Sequence, residues 1–374
     1  MQDRRPLPSL TGVRTAAAAA VLLSHLRHLV PADPFLTVGS LHVDARQFLR
    51  QGNAGVSLFF LLSGFVLMWA SRADDHPARF WVRRAARIYP AHLVVVAVWL
   101  ALMAAALVHH VDRGSAIAST LLVQSWFPQG TYYFAGINPP TWSLAVEVFF
   151  YACFPAIAWA LRRGGERAWR RTAWWSGAVA LAVPIGCYVA LDPPRDEYWS
   201  YVFPPARLAE FVLGASLALL VRAGRLRHVP VARAALVALV AYGLAGRLPR
   251  VLANAPLTLV PFVLVLLSAA GADLEGRASF WRHAALQHLG RISYGVFLVQ
   301  WAVLELAQRR IDGGVTTTYL GALAVCGACT VVVVAVAEVL HHGVERPAER
   351  WIRRRYGGVD VGPPVAADGD PVIG

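Results

Sequence analysis

Apolar residues fall into long unbroken runs separated by short polar stretches rich in arginine. Ten runs can be counted, at about 10–30, 54–71, 88–111, 142–161, 173–191, 206–222, 230–246, 251–270, 286–308 and 316–341. Each is close to the ~20 residues a helix needs to cross a bilayer, the second and seventh being short. In lipid every backbone N–H and C=O must be satisfied within the spanning segment. The pattern therefore predicts an all-α polytopic bundle of about ten transmembrane helices. No internal repeat stands out, which weighs against a transporter built from inverted halves. The membrane domain is expected over 1–355, and the Gly-, Pro- and Asp-rich stretch 356–374 is expected to be a disordered cytoplasmic tail.

Composition agrees. Of 374 residues, 57% are hydrophobic and 15% charged, and the mean hydropathy is +0.49. That is too little charge to cover a soluble protein of this length. The net charge is +13, and all 35 basic residues are arginine. With the N-terminus inside, 22 arginines fall in inner segments and 8 in outer loops. Both termini are then cytoplasmic by the positive-inside rule, in a multi-pass protein of the cell membrane. Charge lying between apolar runs has a topological use, and no nucleic-acid partner is expected.

Arg4 and Arg5 before an Ala-rich run imitate a secretory leader, but no soluble domain follows, so the run is read as the first span. Cys326 and Cys329 lie in an apolar run without further ligands, and are read as small packing residues rather than a metal or redox site. No metal is expected.

Candidate chemistry begins in LPSLTGVRTAAAAAVLLSHLRHLVP, 7–31, where Arg14 and His25 sit in a membrane run. Eleven positions are three helical turns, so both share one face about 16 Å apart. Ionisable groups at membrane depth usually face a protein interior or a cavity. Glu147, about five residues inside its run, and Arg207 with Glu210 at the end of another, fall toward the His25 side. A carboxylate near an imidazole can fix its tautomer and make it a general base. The depth count predicts one continuous polar cavity, with His25 and Glu147 in its outer part and Arg14, Arg84 and Arg87 at its inner mouth. Arg207 and Glu210, at i and i+3, either pair with each other or serve the acceptor. In ARFWVRRAARIYP, Arg84 and Arg87 lie one turn apart and can grip phosphate. By charge alone an ordinary positive-inside cluster is the better reading of them. The long outer loop 112–141, aromatic and Pro-rich, can contribute to an acceptor site.

In this order, these segments resemble the acyltransferase-3 family of integral membrane O-acyltransferases. The resemblance runs from Leu7 to about Arg355. Its opening element, a basic residue followed by ten residues and His, is matched by Arg14 and His25. GVSLFFLLSGFVL at 55–67 matches the second span, and Arg84 and Arg87 match its RxxR. TWSLAVEVFFYACFP at 141–155 supplies Glu147, and LGRISYGVFLVQW at 289–301 with VERPAERWIRRR at 344–355 close the pattern.

The resemblance implies acyl transfer from acyl-CoA, acetyl or another short chain, to a hydroxyl of a sugar or other small molecule. His25 would be the base, Arg14 its companion, and Arg84 and Arg87 the acyl-CoA grip, with Glu147 also of consequence. Acyl-CoA is a donor substrate here and no resident cofactor is implied. Ser57 stands where many members have Asp, and Gln300 where many have His. Gln300 can hydrogen-bond but cannot titrate near neutrality, so it is counted with Arg207 and Glu210 on the acceptor side. No hydrolase-like extension follows the bundle. The compact form is similar to actinomycete enzymes that acylate macrolides and other glycosylated metabolites. The competing reading is an exporter of a lipid-linked sugar or antibiotic, using the same buried charges as a relay.

Overall fold

An apolar run with no water to bond its backbone closes its hydrogen bonds along itself, and the computed structural model of the chain places a helix on every run. It describes residues 5–30, 36–38, 41–43, 45–73, 75–226, 229–245, 247–312 and 318–355. The tail expected after 355 lies outside the described residues. The helices of ten residues or more are α1 Ser9–Leu26, α2 Gly55–Ala70, α3 Pro77–Ala104, α4 Trp142–Ala190, α5 Pro204–Arg222, α6 Val231–Ala245, α7 Ala255–Leu274, α8 Ala284–Asp312, α9 Tyr319–Leu340 and α10 Arg346–Arg355. The strands among the described residues are a short antiparallel hairpin, β1 Leu36–Val38 and β2 Leu41–Val43, with Thr37 opposite His42.

Seven of these helical stretches are long and apolar enough to cross a membrane. The expected count of ten is not reproduced, for three physical reasons. α1 is 18 residues long and carries Arg14 and His25, and it is not among the seven. α6, at 15 residues, is short. α4 takes in two expected runs as one 49-residue helix, broken at Gly165 by a φ of 66°. The arginine-rich link between those runs reads from the sequence only as a polar inner segment. It is helical because Ala, Arg and Glu favour helix and Arg170 pairs with Glu166 one turn earlier at 3.0 Å.

The bundle is built on close backbone approach. α2 packs on α5, and α5 on the first arm of α4. A Cβ at Gly64 would lie 1.9 Å from the Phe211 carbonyl oxygen, and one at Gly214 would lie 2.0 Å from that of Leu61. Only hydrogen fits at this crossing, the use small residues serve between membrane helices. Phe150 fills the space beside it, its ring 5.0 Å from both Phe60 and Phe211.

α1 is held against α8, α2 and α7. Its first turn has no cap from its own sequence. Asp273 of α7 takes that place, accepting from the Ser9 amide at 2.8 Å and the Ser9 hydroxyl at 2.7 Å. Arg282 pairs with the same carboxylate at 2.7 Å. A carboxylate at a helix N-terminus satisfies free amides and complements the dipole, so the depth of α1 is fixed from a distant part of the chain.

The loop 112–141 folds back into the bundle. Its helix Arg113–Leu121 is capped by Asp112, which accepts from the Ser115 amide at 3.0 Å. Asn138, left-handed at φ 54°, donates through Nδ2 to the Leu298 carbonyl of α8 at 2.7 Å. The buried turn Pro139–Thr141 then delivers Trp142, the first residue of α4.

Candidate active site

Two polar groups occupy opposite ends of α1. At its C-terminal end, His25 lines a cavity of about 160 Å³. The Trp301 ring of α8 stands edge-on to the imidazole, with centroids 5.2 Å apart. Gln300, next to it, is 1% exposed and lies within hydrogen-bond reach of His25. The imidazole Nδ1 and the Gln300 Oε1 are both buried with no partner closed on them. One can donate and the other accept.

The cavity walls are aromatic: Trp142, Tyr201, Phe297 and Trp301, with Phe134, Pro139 and Pro140 of the infolded loop. The long loop therefore does reach the His25 pocket. Arg27, His28, Asn53, Ser143 and the ion pair of Arg250 with Glu197 at 2.8 Å are its polar lining, and Val21 and Val56 add to the apolar part.

Toward the N-terminal end of α1, Glu147 gathers a second group. Its Oε1 accepts from Tyr151 at 2.5 Å and from Ser63 at 2.9 Å. Arg14 lies within electrostatic range of Glu147, Arg87, Tyr151 and Glu345. Arg84 sits over the rings of Phe80 and Tyr151, at 5.7 and 5.8 Å, and its Nε is buried without a partner. Arg87 is exposed. Arg83, by contrast, is taken up by Asp75 at 3.3 Å. Three arginines therefore face one neighbouring carboxylate, Glu147, with Glu345 already engaged by His341 at 2.8 Å. The arrangement suits a multiply charged anion.

Expectation and structure part at Glu147. It does not line the His25 cavity and groups instead with Arg14 and Arg84. The depth count took Trp142 as the membrane surface. Because the loop folds inward, Trp142 and Ser143 already stand beside His25. Glu147 is then about 6–8 Å further along, between the histidine and the arginines. Nor does the cavity extend to Arg14, Arg84 or Arg87, as one continuous chamber would require.

Arg207 and Glu210 pair with each other at 3.0 Å, each 2% exposed. Arg207 also donates to Ser57 Oγ at 2.8 Å and stacks under Tyr201 at 5.0 Å. Neither lines the cavity; through Tyr201 they support its wall. Sequence reasoning missed Tyr151 and Ser63, although Tyr151 stands four residues after Glu147, one turn along the same face. It also missed Arg27, Glu197, Arg250 and Trp301. Glu197 and Arg250 are separated by 53 residues, and no local pattern joins them.

Among the described residues no cluster of three or more His, Cys, Asp or Glu could hold a metal ion.

Comparison with known proteins brings this geometry to a family. No solved structure matches the chain. The chain is similar to the "Acyltransferase MdmB" of Streptomyces mycarofaciens, 35% identical over 98% of this chain and 95% of that one. It is also similar to the "Putative peptidoglycan O-acetyltransferase YrhL" of Bacillus subtilis, 24% identical over 92% of this chain but 55% of that one. The "O-acetyltransferase OatA" of Staphylococcus aureus is 28% identical over 58% of this chain and 35% of its own length. With the acyltransferase domain model matched over residues 7–338, covering Arg14, His25, Arg84, Arg87 and Glu147, the chain belongs to this acyltransferase family.

Proposed function

We propose that the protein is an acyl-CoA-dependent O-acyltransferase of the cell membrane. It moves a short acyl group to a hydroxyl of a sugar or glycosylated small molecule. The observation that carries this reading is a buried imidazole, its Nδ1 without a hydrogen-bond partner, lining an aromatic cavity at one end of the helix whose other end carries Arg14, within range of Arg87 and Glu147. A general base needs reach to the proton it takes before it needs anything else.

The acceptor hydroxyl enters the cavity and gives its proton to His25 Nε2 as its oxygen attacks the thioester carbonyl. The C–S bond then breaks, and the imidazolium returns the proton to the departing CoA thiolate. Gln300, accepting from Nδ1–H, holds the tautomer that keeps Nε2 free. With both termini cytoplasmic, the CoA phosphates bind at Arg84 and Arg87, and the pantetheine arm runs up the Arg14–His25 face of α1. That face carries Ala18 and Val21 between the two, at the i+4 and i+7 positions from Arg14. The run Ala16–Ala20 is all alanine, leaving the arm the least side-chain bulk to displace. Glu147, Ser63 and Tyr151 flank the route. The relatives named as acyltransferases and O-acetyltransferases support the reaction class.

The test is acyl-CoA-dependent product formation by the purified full chain, read by mass spectrometry as a gain of one acyl group on a hydroxylated acceptor. His25→Ala should lose 10²–10⁴-fold in rate, roughly the worth of a general base, while still binding coenzyme A. Retained turnover in that variant would overturn the mechanism.

A further inference from the structure

We infer that the mouth of the His25 cavity recognises an anionic group on the acceptor, a carboxylate or phosphate held by Arg27 and Arg250 while a nearby hydroxyl reaches His25. The inference rests on the acyl-transfer reading above and names its acceptor class.

Arg27 is two residues beyond His25, in the single turn Arg27–Leu29 that ends α1, and both side chains line the same cavity. Its Nη1 is buried and has no hydrogen-bond partner. Among the described residues the charges within range of it are mostly of its own sign: Arg250, Arg50 and Arg46, against Glu197. Glu197 is already committed to Arg250 at 2.8 Å. Burying a guanidinium beside like charges without a counterion is costly. A planar fork with free donors in a cavity is matched by a carboxylate or phosphate.

A neutral sugar would be better met by amides and free carboxylates, which share donors and acceptors with hydroxyls. The cavity does carry Asn53 and Ser143, but its charged groups are Arg27 and Arg250 against the single carboxylate of Glu197, which Arg250 already engages. The aromatic walls at Trp301 and Tyr201 give a ring face to pack on. Size restricts the acceptor further. A cavity of about 160 Å³ is comparable to one that takes a single benzene ring. The anion and the reacting hydroxyl therefore belong to the same ring or to adjacent rings.

The test uses the purified full chain in neutral detergent without acyl-CoA, so its outcome is independent of whether transfer occurs. Glucose 6-phosphate and glucuronic acid are titrated against glucose by calorimetry. The anionic sugars should bind at least about tenfold more tightly than glucose. Arg27→Gln should abolish that preference, Arg27→Lys and Arg250→Lys should keep part of it, and Arg310→Gln, on an exposed turn at the end of α8, should keep all of it. Coenzyme A binding should be the same in Arg27→Gln as in the wild type. Three results overturn the inference. The first is no preference for the anionic sugars, including no binding of any. The second is loss of coenzyme A binding in Arg27→Gln, which would give the mouth to the donor's phosphates. The third is displacement of glucose 6-phosphate by phosphatidylglycerol in nanodiscs, which would make it a lipid-headgroup site. The lysine variants keep the charge and guard against reading a misfolded glutamine variant as a lost contact.

Discussion

Single residues divide the chemistry between two ends of one helix. Arg84 has a buried donor without a partner in the site proposed for the donor's phosphates, and a charge-assisted contact to phosphate is worth about 1.5–3 kcal/mol. Arg84→Ala should therefore raise the donor KM roughly 10- to 150-fold and leave the acceptor KM nearly unchanged; Lys should restore part of it without the fork. Equal shifts in both constants would mean that Arg84 sets folding or topology. Ala18 gives a sharper test of the route, because it lies between Arg14 and His25 on their shared face. Ala18→Phe should keep coenzyme A binding and lose transfer, which steady-state rates beside a binding titration would separate. Transfer at the wild-type rate would send the acyl arm elsewhere.

Elements set the precision of that division. The α2–α5 crossing tolerates no side chain at Gly64 or Gly214, since the atom a Cβ meets is backbone carbonyl. Gly214→Ala should cost at least about 1–3 kcal/mol, the usual penalty of overpacking, read as a lower melting temperature of the purified protein. An unchanged melting temperature would show that the helices can part without loss. A second control lies where the chain leaves α3. His109 Nδ1 meets Glu305 Oε2 of α8 at 2.8 Å, and the hydrogen bond to Glu305 pushes the imidazole above the usual histidine range. A raised folded value means the contact stabilises fully below the ordinary histidine value near 6.5 and fades as pH rises through the raised one. Melting temperature should accordingly fall across that window, and Glu305→Gln should flatten the fall; a profile identical in both proteins would remove this contact from the account.

At the scale of the whole molecule, most helices were legible because lipid forbids alternatives to them. Every expected apolar run carries a helix, and the motifs at 55–67, 142–155 and 289–301 lie on helices expected to carry them, while Arg84, Arg87 and residues 346–355 are helical beyond the expected runs. What could not be read was depth. Glu147 was misplaced because its helix starts below the surface, and that start depends on Asn138 gripping the Leu298 carbonyl 160 residues away. The anchoring of α1 by Asp273 is equally remote, 264 residues along the chain. Arg207 and Glu210 were legible as a pair by spacing alone, since i and i+3 share a face. Arg250 was counted in the sequence only as a topology signal, and Arg27 was not singled out at all. Distinguishing a sidedness arginine from a ligand-binding one needs the cavity itself.

The small volume behind His25 also acts as a ruler. In the reaction proposed above, space comparable to that for one six-membered ring would hold the hydroxyl-bearing edge of the acceptor and the acyl chain together at the moment of attack. A two- or three-carbon chain shares it; an eight-carbon chain does not. Offered acetyl-, propionyl- and octanoyl-CoA at equal concentration, the protein should use the first two and leave the third. Widening the wall with Phe297→Ala should then let longer chains through.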